Sequence, residues 1–446
     1  LSGSGPSGVP ASVATLRTLD CVRERCRRLF ELAKADKLEH FSLDLAKLPA
    51  VVNKVAELMA RDYPDPDAVP YHSRWRHFES GGVDRAKSLA SGWQCDPRER
   101  ARRLVDLVTV SVLLDAGAGD RWRYTEPGTG LMFSRSEGLG VASIHMFAAG
   151  AFSSDAAAAP HRADATALAS LPATEVAEAF QATLEGAGGD RSNLLVGCEG
   201  RAAVLKSLGA ALQMHPEYFG NADGCFRPGN MVDFLFAKAD PATKEVSIAD
   251  VWEVVMYGYE SMWPADRTAL DGRGMGDVWP HSKLLPPPPA LESGEGGNRS
   301  ASGGDGMAGL VPFHKLSQWM TYSLMEPLEE LGLVLTDKHL LTGLPEYRNG
   351  GLFVDLGVLA PRNPRVRTEL QEPGAEVIVE WRALTVCLLD EVHARLREKL
   401  NLLADRFPLA KMLEAGTWKA GREVARAARP ETGGPPIQIV SDGTVF

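Results

Sequence analysis

Arg100-Ala-Arg-Arg-Leu-Val-Asp-Leu-Val-Thr-Val-Ser-Val-Leu-Leu-Asp115 is the stretch on which the fold turns. Leu104, Val105, Leu107, Val108, Val110, Val112, Leu113 and Leu114 cover every face, so a helix here has to be central and buried all round. The β-branched residues would also suit a strand. No alternation of strands with crossover helices surrounds the segment, however, which disfavours a parallel doubly wound sheet. Working outward, Val13–Ala35 carries Leu16, Leu19, Val22, Cys26, Leu29 and Leu32 at intervals of three and four, predicting one helix with a single buried stripe. Leu43–Met59, Val196–Leu212 and Val377–Leu400 read the same way. Strand signals are few. Arg123–Glu126 and Leu131–Ser134 flank Pro127-Gly-Thr-Gly130 as one hairpin, and Ile437–Val440 with Thr444–Phe446 flank Ser441-Asp-Gly443 as another. The expected class is mainly α, with a few short β-hairpins.

A chain of 446 residues with 44% hydrophobic and 24% charged content can bury a sizeable core, here expected as one large helical catalytic domain over 11–446. Leu1–Pro10 is rich in Gly, Ser and Pro and reads as a flexible tail. Pro286–Gly309 opens on four consecutive prolines and then lacks apolar anchors. Such a segment cannot offset its ordering entropy and reads as a disordered surface insertion. A net charge of -10 argues against nucleic acid as a partner, since backbone phosphates need a concentrated positive surface. It leaves room for a local basic pocket. No apolar run reaches the roughly 18–20 residues that cross a bilayer, and Leu1–Pro10 carries no positive n-region with an apolar core behind it, so neither a signal peptide nor a membrane partner is expected. Six scattered cysteines without a Cys-x-x-Cys pair read as reduced thiols of a cytoplasmic protein.

Several motifs fail on context. Gly3-x-Gly5-x-x-Gly8 follows no strand and opens no helix, so it is no dinucleotide fingerprint. There is no Walker loop and no Gly-x-Ser-x-Gly elbow. His72 and His77 lie five apart, off the spacing of a helical metal pair. Neither a metal nor a cofactor is expected.

Other residues can carry chemistry. Asp115 ends the buried helix before Gly117 and Gly119, which suit a C-terminal cap; its carboxylate opposes the helix dipole unless paired, with Arg121 or Arg123 as ordinary partners. Leu344-Pro-Glu-Tyr-Arg-Asn-Gly-Gly351 sets a carboxylate, a phenol and a guanidinium beside glycines, or is simply a charged turn. Lys315 precedes Trp319 and Tyr322 by one and two turns, either snorkelling to solvent or reaching into a pocket. Glu380 lies on an apolar stripe with Ala383, Leu384 and Cys387 and needs a cation, for which Arg348 or Lys315 would suit. Tyr71–Phe78 mixes donors with aromatics, as a site for a sugar phosphate and planar leaving group would, and as a polar surface loop would too.

Together, Val69-Pro-Tyr-His-Ser-Arg-Trp-Arg-His-Phe78, Leu113-Leu-Asp-Ala-Gly-Ala-Gly-Asp-Arg-Trp122, Arg135-Ser-Glu-Gly-Leu139, Phe152-Ser-Ser-Asp155, Leu344–Gly351 and Gly434–Phe446 resemble the uracil-catabolism protein four family over nearly the whole chain. That family is associated with a ring-opening route of uracil breakdown through a ribosylurea-type intermediate. A fainter resemblance joins Ser80-Gly-Gly-Val-Asp-Arg85, Leu114-Asp-Ala116 with Trp122, Phe313-His-Lys315 with Gln318, Pro345-Glu-Tyr-Arg348, Leu356–Leu359 and Val379-Glu-Trp-Arg382 to the queuosine-nucleotide N-glycosylases. It implies a fold akin to helix-hairpin-helix DNA glycosylases and a lysine–aspartate catalytic pair, falling here on Lys315 and Glu346, with glutamate replacing aspartate. The resemblance implies an N-ribosidase acting on a ribosylurea or its 5′-phosphate. A carboxylate under the anomeric carbon would stabilise the developing positive charge, and Lys315 would polarise the leaving group or hold Glu346 ionised. Asp115, Trp122, Tyr347, Arg348, Glu380 and Arg382 would bind substrate, and His72, Arg74 or Arg76 a phosphate. The partner is then a small nucleoside or nucleotide derivative. The alternatives are an amidohydrolase or deaminase working on the urea moiety, and a non-catalytic nucleotide-binding protein of the same pathway.

Overall fold

The computed structural model describes residues 8–184, 192–264, 267–285 and 307–440. Residues 1–7 of the expected tail, 286–306 of the expected insertion and the expected strand Thr444–Phe446 lie outside the described residues. Within them the chain is mainly α, and its strands occur only as two-stranded pairs. No described helix is long and apolar enough to cross a membrane.

The decisive stretch is a helix, Pro97–Leu113. Asp96 caps it, accepting from the Arg98 and Glu99 amides at 2.9 and 3.0 Å, and Pro97 supplies a pre-set first turn. From Leu104 to Val112 every residue is buried, which explains why the β-branched run does not form a half-buried strand. The one acid in that run, Asp106, accepts from Arg227 Nε at 2.7 Å and from the Gly229 and Ala163 amides at 2.6 and 3.1 Å.

The chain divides into two compact units, 1–69 with 264–315 and 341–440, and 70–263 with 316–340 and 441–446. In the first, the long helix Glu376–Leu400 packs on Leu19–Lys34, and Tyr347–Asp355 packs on Trp418–Ala428. In the second, Cys198–Met214 packs on Ala165–Ser170, and Pro97–Leu113 on Arg135–Ala148.

Several local expectations need correction. Val13–Ala35 is two helices, Ala11–Leu16 and Leu19–Lys34, because the Thr18 hydroxyl caps the second by accepting from the Cys21 amide at 3.2 Å. Leu43–Met59 begins as a strand, Phe41–Leu43, before the helix Leu48–Asp62. Gly117 and Gly119 do not cap Pro97–Leu113. Arg201 reaches in instead, donating to the carbonyls of Leu114 at 3.1 Å, Ala116 at 2.9 Å and Gly117 at 3.3 Å. A buried cation at a helix C-terminus also meets the negative end of the dipole. The first hairpin forms as expected, Tyr124–Thr125 against Met132–Phe133. At the other end Gln438–Ile439 pairs in parallel with Leu370–Gln371, not as the near arm of a hairpin.

Close helix packing holds the Leu344–Gly351 stretch in place. A Cβ at Gly421, on Trp418–Ala428, would run into the backbone carbonyl of Arg348. Backbone cannot yield as a side-chain tip can, so Gly421→Ala is expected to destabilise the protein by about 1–3 kcal/mol through overpacking. Equilibrium denaturation checks this; an unchanged midpoint would mean that the two helices separate without cost.

Candidate functional site

In the first unit Leu344–Gly351 is not a loose turn. Glu346 is the N-cap of the helix Tyr347–Asp355, its Oε1 accepting from the Asn349 amide at 2.6 Å and its Oε2 from the Arg348 amide at 2.8 Å. It is only 9% exposed. Burial pushes its carboxyl above the ordinary 4.5, while those two amides and the charges of Lys315 and Arg348 pull it back. The positive charge of Lys315 is thus among the influences that favour the ionised form of Glu346. Asn349 is fully buried, its Nδ2 donating to the Leu344 carbonyl at 3.1 Å.

Lys315 opens the helix Lys315–Glu330, and its amide donates to Asp277 Oδ2 at 3.0 Å. Asp277, absent from the expected residues, is an anion at the middle of this region. Arg382 forks onto it through Nη1 at 2.7 Å and Nη2 at 2.8 Å, and the Trp279 indole N–H donates at 2.7 Å. Burial works against its charge, yet the Arg382 ion pair and the N–H donors outweigh it and hold the carboxyl down at about 2. Arg382 also stacks 4.1 Å over the Phe313 ring and donates from Nε to the Pro345 carbonyl at 3.2 Å.

Among the described residues Glu380 forms no ion pair with a lysine or arginine, which its place on an apolar stripe had suggested. Its Oε1 accepts from the His40 and Phe41 amides at 3.2 and 2.7 Å, and His281 Nε2 lies 3.6 Å from Oε2, with both side chains fully buried. Two backbone amides thus satisfy Oε1, while Oε2 and His281 Nε2 face each other just beyond hydrogen-bond distance. Arg348 donates to the Gly433 carbonyl at 2.8 Å and lies over the Tyr347 ring at 5.0 Å.

The remaining expected residues belong to the second unit. Arg74 is fully buried and pairs through Nη1 with Asp115 at 2.9 Å, a cation other than the Arg121 or Arg123 that Asp115 was expected to take. Its Nε donates to Ser111 Oγ at 2.8 Å, and Nη1 to His77 Nδ1 at 3.1 Å. Burial and then the Arg74 charge push the His77 imidazole down to about 4, against Asp115 and Glu137. The His72 and His77 rings lie 5.0 and 6.1 Å from Trp319. Arg76 is held by Glu326, at 3.0 and 2.9 Å, and by Glu79 at 3.1 Å. Both arginines proposed for a phosphate thus already face carboxylates. Trp122 is fully buried, its indole N–H donating to the Phe180 carbonyl at 2.8 Å, which accounts for it as core. A cleft of about 730 Å³ in this unit is lined by other residues, among them Ser153, Ser154, Thr166, Glu175 and Glu178.

Among the described residues no group of three or more His, Cys, Asp and Glu is placed to hold a metal ion. Burial pushes the thiols of Cys21, Cys26, Cys225 and Cys387 above the ordinary 9.0, which disfavours the thiolate that a cysteine nucleophile requires.

Comparison with known proteins adds a lineage to this geometry. A family model described as "Protein of unknown function (DUF1688)" matches residues 15–446. "Uracil catabolism protein 4" of Lachancea kluyveri is 39% identical, aligned over 97% of this chain and 99% of its own length. "Protein urg3" of Schizosaccharomyces pombe is also 39% identical, over 98% of this chain and 99% of its own.

Proposed function

Because the chain belongs to the DUF1688 family, with a uracil catabolism protein among its relatives, we propose that it acts in uracil catabolism as an N-ribosidase, hydrolysing the C1′–N bond of a ribosylurea or its 5′-phosphate. The observation that carries this reading is a buried carboxylate, Glu346, lying in the field of Lys315. Breaking the bond leaves positive charge on the anomeric carbon, and an anion in a poorly solvated site stabilises it far more than water would. Glu346 takes a proton from water as its oxygen bonds to C1′. Lys315 gives a proton to the departing urea nitrogen, and the transfer of the first proton back to Lys315 through solvent resets the pair. Atoms balance as ribosylurea plus water giving ribose and urea. The same pairing is what the fainter sequence resemblance to the queuosine-nucleotide N-glycosylases implies, with glutamate in place of that family's aspartate.

Incubation with synthetic ribosylurea, with and without 5′-phosphate, tests the reading: free urea and a ribose species are expected. Ammonia with an intact ribosyl bond would replace it by an amidohydrolase. The base must be ionised, so the acidic limb of the kcat/KM profile is expected above pH 4.5, the direction in which burial moves Glu346. An acidic limb at or below 4.5 would remove Glu346 as the base.

One observation favours a second reading. Both Glu346 oxygens serve as a helix cap, so the carboxylate has a structural task without any chemistry. A binding protein without turnover would then raise its melting temperature with ribosylurea and leave the ligand unchanged.

A further inference from the structure

Two residues that the proposed reaction leaves out, Asp277 and Arg382, connect the two that it uses. The Lys315 amide donates to Asp277 Oδ2 at 3.0 Å, the Arg382 fork closes on both Asp277 oxygens at 2.7 and 2.8 Å, and Arg382 Nε donates to the carbonyl of Pro345 at 3.2 Å, one residue before Glu346. We infer that the Asp277–Arg382 pair is a positioning device that sets the separation of Lys315 and Glu346. The inference rests on the proposed roles of those two groups.

Three features support a device of this kind. With the Trp279 indole added, four donors fill the roughly four lone-pair sites of the Asp277 carboxylate, so its orientation has no slack. A planar guanidinium forked on a carboxylate fixes angle as well as distance, and the Phe313 ring beneath Arg382 at 4.1 Å fixes its plane. The backbone just before Lys315 is also constrained. His314 adopts φ +48°, a left-handed conformation that non-glycine residues rarely hold, and its Nε2 donates to the Leu16 carbonyl at 2.9 Å. A strained residue held in this way gives the Lys315 amide one direction, toward Asp277. Asp277 and Arg382 touch no reacting atom in this scheme; they act through Lys315 and Glu346.

Arg382→Lys and Asp277→Asn in the full chain test the inference. The lysine keeps the charge opposite Asp277 but cannot fork onto the carboxylate and reach Pro345 together. Turnover of ribosylurea is expected to fall about 10- to 100-fold, the scale of an ångström-sized misplacement, with KM within about twofold. A purely structural role would lower the denaturation midpoint and leave kcat per folded molecule unchanged, which overturns the inference. Amide exchange read by mass spectrometry gives an arm independent of activity. Peptides containing Lys315 and peptides containing 345–349 are expected to lose protection together in Arg382→Lys, while peptides from Leu48–Asp62 keep theirs. Loss at one segment alone, or at neither, overturns the coupling even if wild-type protein cleaves no riboside, an outcome that by itself sinks only the proposed function. Should Asp277→Asn not fold, Arg382→Lys decides through both arms.

Discussion

Glu346→Gln is expected to lower turnover of ribosylurea about 10²–10³-fold, the usual cost of removing one electrostatic stabiliser from a transition state, while the protein stays folded. The substitution keeps the shape and one acceptor. The structural loss is confined to the helix cap, where the carboxylate now serves the Asn349 amide at 2.6 Å and the Arg348 amide at 2.8 Å. An amide group can accept from only one of them and turns its NH2 toward the other, a cost of about 1–2 kcal/mol. Glu346→Asp separates the cap from the chemistry. Aspartate is a favoured N-cap residue, so stability is expected to hold, yet the carboxylate withdraws by one methylene and turnover falls at least about tenfold. Wild-type turnover in the glutamine variant, measured per folded molecule, would leave Glu346 as a cap and nothing more.

On acidification from pH 6.5 to 4.5 the first unit is expected to lose stability before the second. His314 is buried and neutral; burial holds its imidazole down at about 4, against the Leu16 carbonyl and the Asp277 charge. Its unfolded value is 6.5, so across this window the unfolded chain binds more protons and stability falls with pH. Taken to pH 4, a shift of that size corresponds to roughly 3 kcal/mol. His393, also lowered by burial, adds to the loss, and the raised Glu346 opposes it. In the second unit the loss from His77, at about 4, and from His161 meets two buried carboxyls of opposite sign. Burial raises Glu326 to about 7 and Asp106 to about 6, so the native state takes up protons there before the unfolded chain does and gains stability as pH falls. Below 4.5, Asp277 removes further stability from the first unit, because its native carboxyl titrates near 2 against 3.8 unfolded. Exchange protection measured at pH 7 and pH 5 checks this. Equal retention in Glu376–Leu400 and Pro97–Leu113 would contradict it.

The class of the fold was legible because helical periodicity is local. The all-round burial expected of Leu104–Leu114 emerged as a helix buried at every residue from Leu104 to Val112, with Leu113 half-buried. What the pattern hid was supplied from far along the chain. Arg201 caps its helix through the Leu114 carbonyl, 87 residues before it, and the parallel pair Glu245–Ser247 with Val334–Thr336 has no local signal at all. Thr18 was hidden differently, because the apolar stripe runs through it and masks the break. In the site, Lys315 and Glu346 were singled out by resemblance. Glutamate is not a preferred cap, so nothing marked residue 346 as a helix start. Asp277 was unreadable because the partners that tie it to the site, Lys315 and Arg382, lie 38 and 105 residues away, and an isolated acid between Gly276 and Val278 resembles any surface turn.

The two units also differ in how the ribosome delivers them. Residues 70–263, most of the second, emerge in one continuous run before its shorter pieces, 316–340 and 441–446, follow, whereas the first is assembled from three substantial pieces ending at 69, 315 and 440. At about 5–20 residues per second, the Lys315 amide has its aspartate at once, but the guanidinium that locks the pair is translated several seconds later. Until then the nascent chain carries an anion shielded by only part of its eventual cage. Chaperone engagement during synthesis should therefore concentrate on the first unit.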